Sequence, residues 1–199
     1  MQNMDISNEI RDFFDTAYDV GSLAFLGLTT KVENPFRDQF AYYLYKKYSS
    51  SLKISREYSN GQNLRVDLAI IEGEKKHFIE FKACYSFDLL RYDYKLYQNE
   101  ILKDRDKYTN KDLNNVTYIL LSIRTDICPI EYYKDIIKYY GDVVRAFNKY
   151  SSDDQKKLSF ESVNRWFDGS DGLIVKSSGS RDLGKAYNVN VYLDYFIIG

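Results

Sequence analysis

The segment "NLRVDLAIIEGEKKHFIEFKA", Asn63 to Ala83, is two apolar runs separated by a charged turn. "LRVDLAII" and "HFIEFKA" are rich in β-branched and aromatic residues, and "EGEKK" between them carries the glycine and charges of a hairpin turn, so the segment predicts two antiparallel strands. Each strand holds an acid, Asp67 in the first and Glu80 in the second, and Lys82 follows two places after Glu80. Side chains two apart on a strand share a face, so Glu80 and Lys82 project together beside Phe78, while His77, Ile79, Phe81 and Ala83 take the other side. A register that sets Asp67 near Glu80 brings two carboxylates and one ammonium together. Two carboxylates about 4 Å apart repel by roughly 4 kcal/mol at an effective dielectric of 20. Lys82 offsets part of that repulsion. A divalent cation offsets the rest, and Mg²⁺ prefers carboxylate oxygens.

The flanking sequence supplies the frame. Residues 4 to 19 predict a short amphipathic helix with Ile6, Ile10, Phe13 and Phe14 near one stripe. A second helix is expected over "FRDQFAYYLYKKY", capped by Asn34 with Pro35 in its first turn, its face formed by Phe36, Phe40, Tyr43, Leu44 and Lys47. After the hairpin, "FDLLRYDYKLYQNEILKDRDKY" has a helical pattern and "VTYILLSI" reads as a buried strand. A helix of crossover length between them predicts that this strand runs parallel to that of Glu80. "IEYYKDIIKYYGDVVRAFNKY" predicts one or two helices interrupted at Gly141. Beyond Ser151 the chain is rich in turn residues, and "VNVYLDYFII" is expected to be a terminal strand.

The fold class expected is α/β, with a mixed central β-sheet flanked by helices. No linker interrupts the 199 residues, so they predict one domain, with a core over about 33–123 and an elaboration over about 124–199. The net charge of −1 excludes a chain that binds nucleic acid through its overall charge, and any such contact needs a local basic surface. Two cysteines, Cys84 and Cys128, suggest no disulfide framework and a reducing compartment. One histidine, His77, excludes multi-histidine metal sites and is read as structural. The start lacks the pattern of a secretory signal, and the longest apolar runs fall short of the roughly 20 residues that span a bilayer, so a cytoplasmic location without membrane contact is expected. The 20 tyrosines are read as compositional bias.

An acidic helix, a strand bearing Asp67, a turn, and a strand bearing Glu80-Phe81-Lys82 resemble the PD-(D/E)xK nuclease superfamily, the restriction-endonuclease-like fold. The motif here is Val66-Asp67, twelve intervening residues, then Glu80-Phe81-Lys82, with valine where the family's name has proline. The resemblance covers about Glu33 to Ile123. It implies a metal-dependent endonuclease that hydrolyses phosphodiester bonds in DNA, of restriction type or another prokaryotic or phage defence type, using Mg²⁺ for which Mn²⁺ substitutes. By position it implies Asp67, Glu80 and the main-chain carbonyl of Phe81 as metal ligands. Lys82 would orient the attacking water or stabilise charge on the phosphate, and its proton affinity is expected to fall beside the cation. The family adds an acid from the preceding helix, for which Glu33 and Asp38 both qualify. The helical wheel favours Glu33, although Pro35 argues that Glu33 stands outside the helix.

Lys95 and Gln98 fall where the family often supplies an auxiliary polar residue. Asp104 and Lys107 are expected to form a surface ion pair. The tail segment "KSSGSRDLGK", read as a loop, offers Lys176, Arg181 and Lys185 as phosphate contacts. "DGSDG" is read as a turn, and Trp166 as core. Cleavage of both strands by one small domain takes two sites and therefore implies a homodimer. The alternative function is a catalytically silent nuclease-fold module that binds DNA or protein.

Overall fold

The computed structural model describes residues 4–16, 20–59, 61, 64–90, 95–110, 113, 116–168 and 172–199. A six-stranded sheet in the order β1-β2-β3-β4-β6-β5 is built from β1 (Lys53–Ser59), β2 (Arg65–Glu72), β3 (Lys75–Tyr85), β4 (Val116–Thr125), β5 (Val175–Ala186) and β6 (Val189–Ile198). The sheet is mixed: β3 and β4 run parallel and every other neighbouring pair is antiparallel. The hairpin read from the sequence is β2 and β3, tightly joined at Gly73, whose φ of +58° suits glycine. The parallel β3–β4 pair is joined by α4 (Ser86–Leu89) and α5 (Leu96–Thr109), the crossover that the sequence predicts.

Apolar alternation along β3 feeds two cores. Ile79, Phe81, Ala83 and Tyr85 join the core packed by α1 (Ile6–Thr16), α2 (Val20–Thr29) and α3 (Glu33–Tyr48). Phe78 and Cys84 join the opposite core, which includes Tyr97, Ile101 and Tyr108 of α5, and Val163 and Trp166 of α7 (Ser152–Trp166). Helices therefore cover both faces of the sheet. Both cysteines are free, and no helix among the described residues is long and apolar enough to cross a membrane.

Several expectations are corrected. The first helix is α1, and positions 17–19 of the expected span lie outside the described residues. α3 begins at Glu33 with Val32 as its N-cap, so Asn34 is not the cap and Glu33 stands inside the helix. The apolar run "VGSLAFLGLT" forms α2, whose Leu23, Ala24 and Leu28 are buried, and "KISREYS" forms β1; neither element was expected. The break before α6 (Tyr140–Phe147) falls at Tyr139, which adopts φ +57°, and Gly141 lies within the helix. The turn-rich reading beyond Ser151 missed α7, which Ser151 and Asp154 start with a reciprocal capping box. Within "DGSDG", residues 169–171 lie outside the described residues.

"KSSGSRDLGK" is not a loop. It is most of β5, paired along its length with β6 at the sheet edge. Its polar residues fit a strand because an edge strand exposes one flank to water.

Candidate active site

The site forms where the β2–β3 ladder stops. Their last backbone pair toward the open end is Leu68 with Ile79, so the next rung sets Asp67 opposite Glu80. Beyond that rung the main-chain amides need other acceptors, and the carboxylates supply them. Asp67 Oδ2 accepts from the Phe81 amide at 2.8 Å, and Glu80 Oε2 lies 3.4 Å from the Asp67 amide. In a strand the amide and carbonyl of one residue leave by the same edge, so the Phe81 carbonyl faces the fork that its amide faces. Two residues on, the Ala83 amide donates to Glu33 Oε2 at 3.1 Å. Glu33, Asp67 and Glu80 thus each bond to the opposing backbone at one fork.

Lys82 closes the site from the other side. Its Nζ is 3.1 Å from Glu80 Oε1 and 2.7 Å from Asp104 Oδ2. Tyr108 donates its hydroxyl to Glu80 Oε2 at 2.6 Å. Glu80 is only 9% exposed. Burial raises the pKa of Glu80, and the charge of Asp67 raises it further. Glu33 is raised for the same two reasons in the same order. For Lys82, burial lowers proton affinity, but Glu80 and Asp104 outweigh it and the net shift is upward. In the absence of a cation, then, Lys82 holds its proton more tightly than an ordinary lysine.

Arg37 joins the far side of the fork. Its guanidinium contacts Asp38 at 2.9 Å, Glu57 at 3.2 Å and Asp67 at 3.5 Å. Glu57 occupies the position opposite Asp67 on β1, between the pairs Arg56–Leu68 and Tyr58–Val66, and adopts φ +52°. A left-handed glutamate within a strand costs on the order of 1–3 kcal/mol. Here it is held by Arg37 and by an ion pair with Arg65. Asp38 also pairs with Arg56 at 2.8 Å. Of the two helix acids, Glu33 reaches the open edge of β3, whereas Asp38 is engaged by two arginines.

The remaining candidates lie elsewhere. Gln98 is buried and donates to the Trp166 carbonyl at 2.7 Å, fastening α5 to α7. Lys95 is exposed at the N-cap of α5, roughly 13 Å along the helix axis from Asp104 at 1.5 Å per residue. β5 stands three strand spacings from β3, roughly 14 Å, which separates Lys176, Arg181 and Lys185 from the fork. Arg181 pairs with Asp15 at 3.2 Å and packs over Phe14. His77 faces Thr117 at 3.1 Å, and burial lowers its pKa.

Asp104, Tyr108 and Arg37 were not anticipated. Asp104 turns inward to Lys82 rather than pairing with Lys107, whose Nζ lies over the Tyr108 ring. The signal for these residues was present in the sequence. Tyr97, Ile101, Asp104 and Tyr108 follow i, i+4, i+7, i+11 spacing, and Arg37, Phe40 and Leu44 follow i, i+3, i+7. A charge inside an apolar stripe marks a buried charge that needs a partner.

The donors at the fork are carboxylate oxygens with one carbonyl, the set a hard divalent cation takes. Among the described residues, no three acidic, histidine or cysteine side chains form a ready-made metal cage. Instead the carboxylates bond to amides, a hydroxyl and cations of the protein itself. Burial first and the charge of Asp67 second raise the pKa of Glu33 and Glu80, and the oxygen donors at the fork are of the type a hard cation takes.

This has a pH consequence. The folded chain holds the Glu80 proton more tightly than the unfolded chain, so its contribution to stability is full below the ordinary glutamate pKa of 4.5 and is lost as pH rises through the folded value. In metal-free protein, Glu80→Gln is therefore expected to raise Tm at pH 7, and the gain should shrink toward pH 4. Thermal melts across that range in chelator check it, and a Tm lowered at pH 7 would contradict it.

No protein-family model, curated protein or solved structure matches this chain.

Proposed function

We propose that this chain is a metal-dependent nuclease of the PD-(D/E)xK type, with a restriction-endonuclease-like core, that hydrolyses phosphodiester bonds in DNA. The observation that carries the proposal is the meeting of Asp67 and Glu80 with Lys82 at the β2–β3 fork, with Glu33 on the same strand edge. Asp67, Glu80 and the Phe81 carbonyl would hold Mg²⁺ or Mn²⁺, with Glu33 as a further acid. The ion, when bound, lowers the pKa of an attacking water and neutralises charge on the phosphate.

The side chains supply the rest. Lys82, kept protonated by Glu80 and Asp104, offers a cationic donor to a phosphate oxygen on which charge develops. In the metal-free protein the net shift of Lys82 is upward, whereas the fall in proton affinity expected of it belongs to the cation-bound state. Tyr108 fixes the Glu80 carboxylate by its hydrogen bond, and Arg37 steadies Asp67 from the opposite side. A restriction-type or other prokaryotic or phage defence role, and a homodimer for double-strand cleavage, belong to the same proposal.

Supercoiled plasmid with Mg²⁺ or Mn²⁺ tests it directly. Nicking is expected with either ion and should stop in chelator; absence of nicking at every protein concentration would remove the enzymatic reading. A second reading, a silent module, draws support from the internal bonds that engage the three carboxylates and Lys82. Metal binding separates the two. A divalent ion at a hundredfold excess over its Kd stabilises the folded state by about 2.7 kcal/mol. For a chain of this size that raises Tm by roughly 5–10 °C. The shift should vanish in Asp67→Asn, and a wild type that shows no metal-dependent shift would favour the silent module.

A further inference from the structure

Past Lys82, β3 runs into a cleft of 320 Å³ whose lining includes Lys31, Ala83, Tyr85, Phe87, Asp88 and Tyr139. Its size falls in the range of small-molecule sites, about 300–1,000 Å³. Its walls are aromatic. Tyr85 and Phe87 stack with ring centroids 5.3 Å apart and planes 5° from parallel, and the Tyr139 ring stands edge-on to both at 5.5 and 6.2 Å. Tyr139 holds this position in a left-handed backbone conformation, φ +57°, and is 47% exposed. A strained and exposed aromatic that completes a ring cluster is more costly than a surface tyrosine needs to be.

The cleft adjoins the fork at Ala83. Ala83, whose amide holds Glu33, forms part of its wall. Lys31, two residues before Glu33 in the chain, is exposed, lines the cleft and acts electrostatically on both Glu33 and Asp88. Asp88 already accepts from the Tyr85 amide at 3.1 Å and the Tyr97 hydroxyl at 3.4 Å, which fixes one carboxylate in the cleft wall. Asp142 lines the same cleft as Asp88.

We infer that the aromatic cleft beyond Ala83 receives an unpaired nucleobase of the DNA strand bound at the β2–β3 fork. Aromatic faces take any base by stacking, a carboxylate accepts from the amino group of a base edge, and a lysine in the cleft lining suits a neighbouring phosphate. A paired base is not free to enter a pocket of this kind, because its edge and faces are occupied by the duplex. The inference rests on the nuclease reading for the strand's location, and it assigns that site single-stranded, flapped or locally opened DNA.

The test is binding in chelator, where no cleavage intervenes, of a short single strand carrying one 2-aminopurine, whose fluorescence falls on stacking. Wild type is expected to quench the probe and to bind the single strand about tenfold more tightly than the same sequence as a duplex. Tyr139→Asn, which tolerates a left-handed backbone, and Phe87→Leu should each weaken single-strand binding by roughly tenfold, the scale of one lost base–aromatic stack. Tyr139→Phe should keep it. Equal binding of duplex and single strand, or unchanged quenching in Tyr139→Asn and Phe87→Leu with folding verified by circular dichroism, overturns the inference. Loss of the nuclease reading looks different: quenching persists while plasmid remains uncut in Mg²⁺.

Discussion

Asp67→Asn, Glu80→Gln and Lys82→Ala are each expected to abolish most metal-dependent nicking, by different routes. Asp67 and Glu80 face one fork, so on the proposed function loss of either charge would remove a metal ligand and the effect should deepen at low Mg²⁺. Lys82→Ala leaves both acids in place, and the expected result is a fall in kcat of roughly 10²–10⁴, the range for a side chain that handles a proton or charge at the reacting centre. Metal affinity should hold or improve in that variant, because the ammonium that competes for Glu80 is gone. Asp38→Asn is the contrasting control: Asp38 pairs with Arg37 and Arg56, and its removal should leave most of the activity. Single-turnover cleavage across a Mg²⁺ titration reads all four variants. Equal activity in wild type, Asp67→Asn and Lys82→Ala would place any cleavage outside this fork.

The second large effect concerns stability. Arg124 of β4 and Asp194 of β6 form an ion pair at 3.1 Å, with Asp194 fully buried and Arg124 5% exposed. The same guanidinium donates to Ser152 at 2.6 Å and lies 4.6 Å from the Tyr192 ring centroid. One cation therefore ties the central strand to its neighbour and to the start of α7. Removing one partner leaves a buried charge without compensation, which costs about 3–5 kcal/mol. Arg124→Met and Asp194→Leu should each lower Tm by on the order of 10 °C. The double variant should recover much of that loss, since removing both charges relieves the desolvation penalty along with the attraction. A double variant as unstable as the two single losses combined would show that the pair is not coupled.

Local pattern carried far in this chain where one residue type had one physical solution. The hairpin, the parallel β4 and the terminal β6 follow from alternation, a charged turn and a crossover of sufficient length. α2 and β1 escaped because "VGSLAFLGLT" is apolar on every side and "KISREYS" is mostly polar, so neither shows a period that selects helix or strand. β5 escaped because glycine, serine and charge signal turns locally, while its pairing comes from β6, which follows it in the chain. The same limit hid the partners at the site. Asp104 stood on the apolar stripe of α5, but only the packing of α5 over β3 points it at Lys82.

The sequence by itself determined that Glu80 and Lys82 share one face of a buried strand and that an aspartate precedes them on a paired strand, because strand alternation has a fixed period of two. Only the tertiary structure decided that Glu33 and not Asp38 reaches that edge, that Lys82 is held between Glu80 and Asp104, and that an aromatic cleft opens beside them. The reason is range. Alternation is set by each residue's own backbone, whereas the meeting of Glu33 with Ala83, fifty positions apart, depends on where α3 packs once the whole sheet has formed.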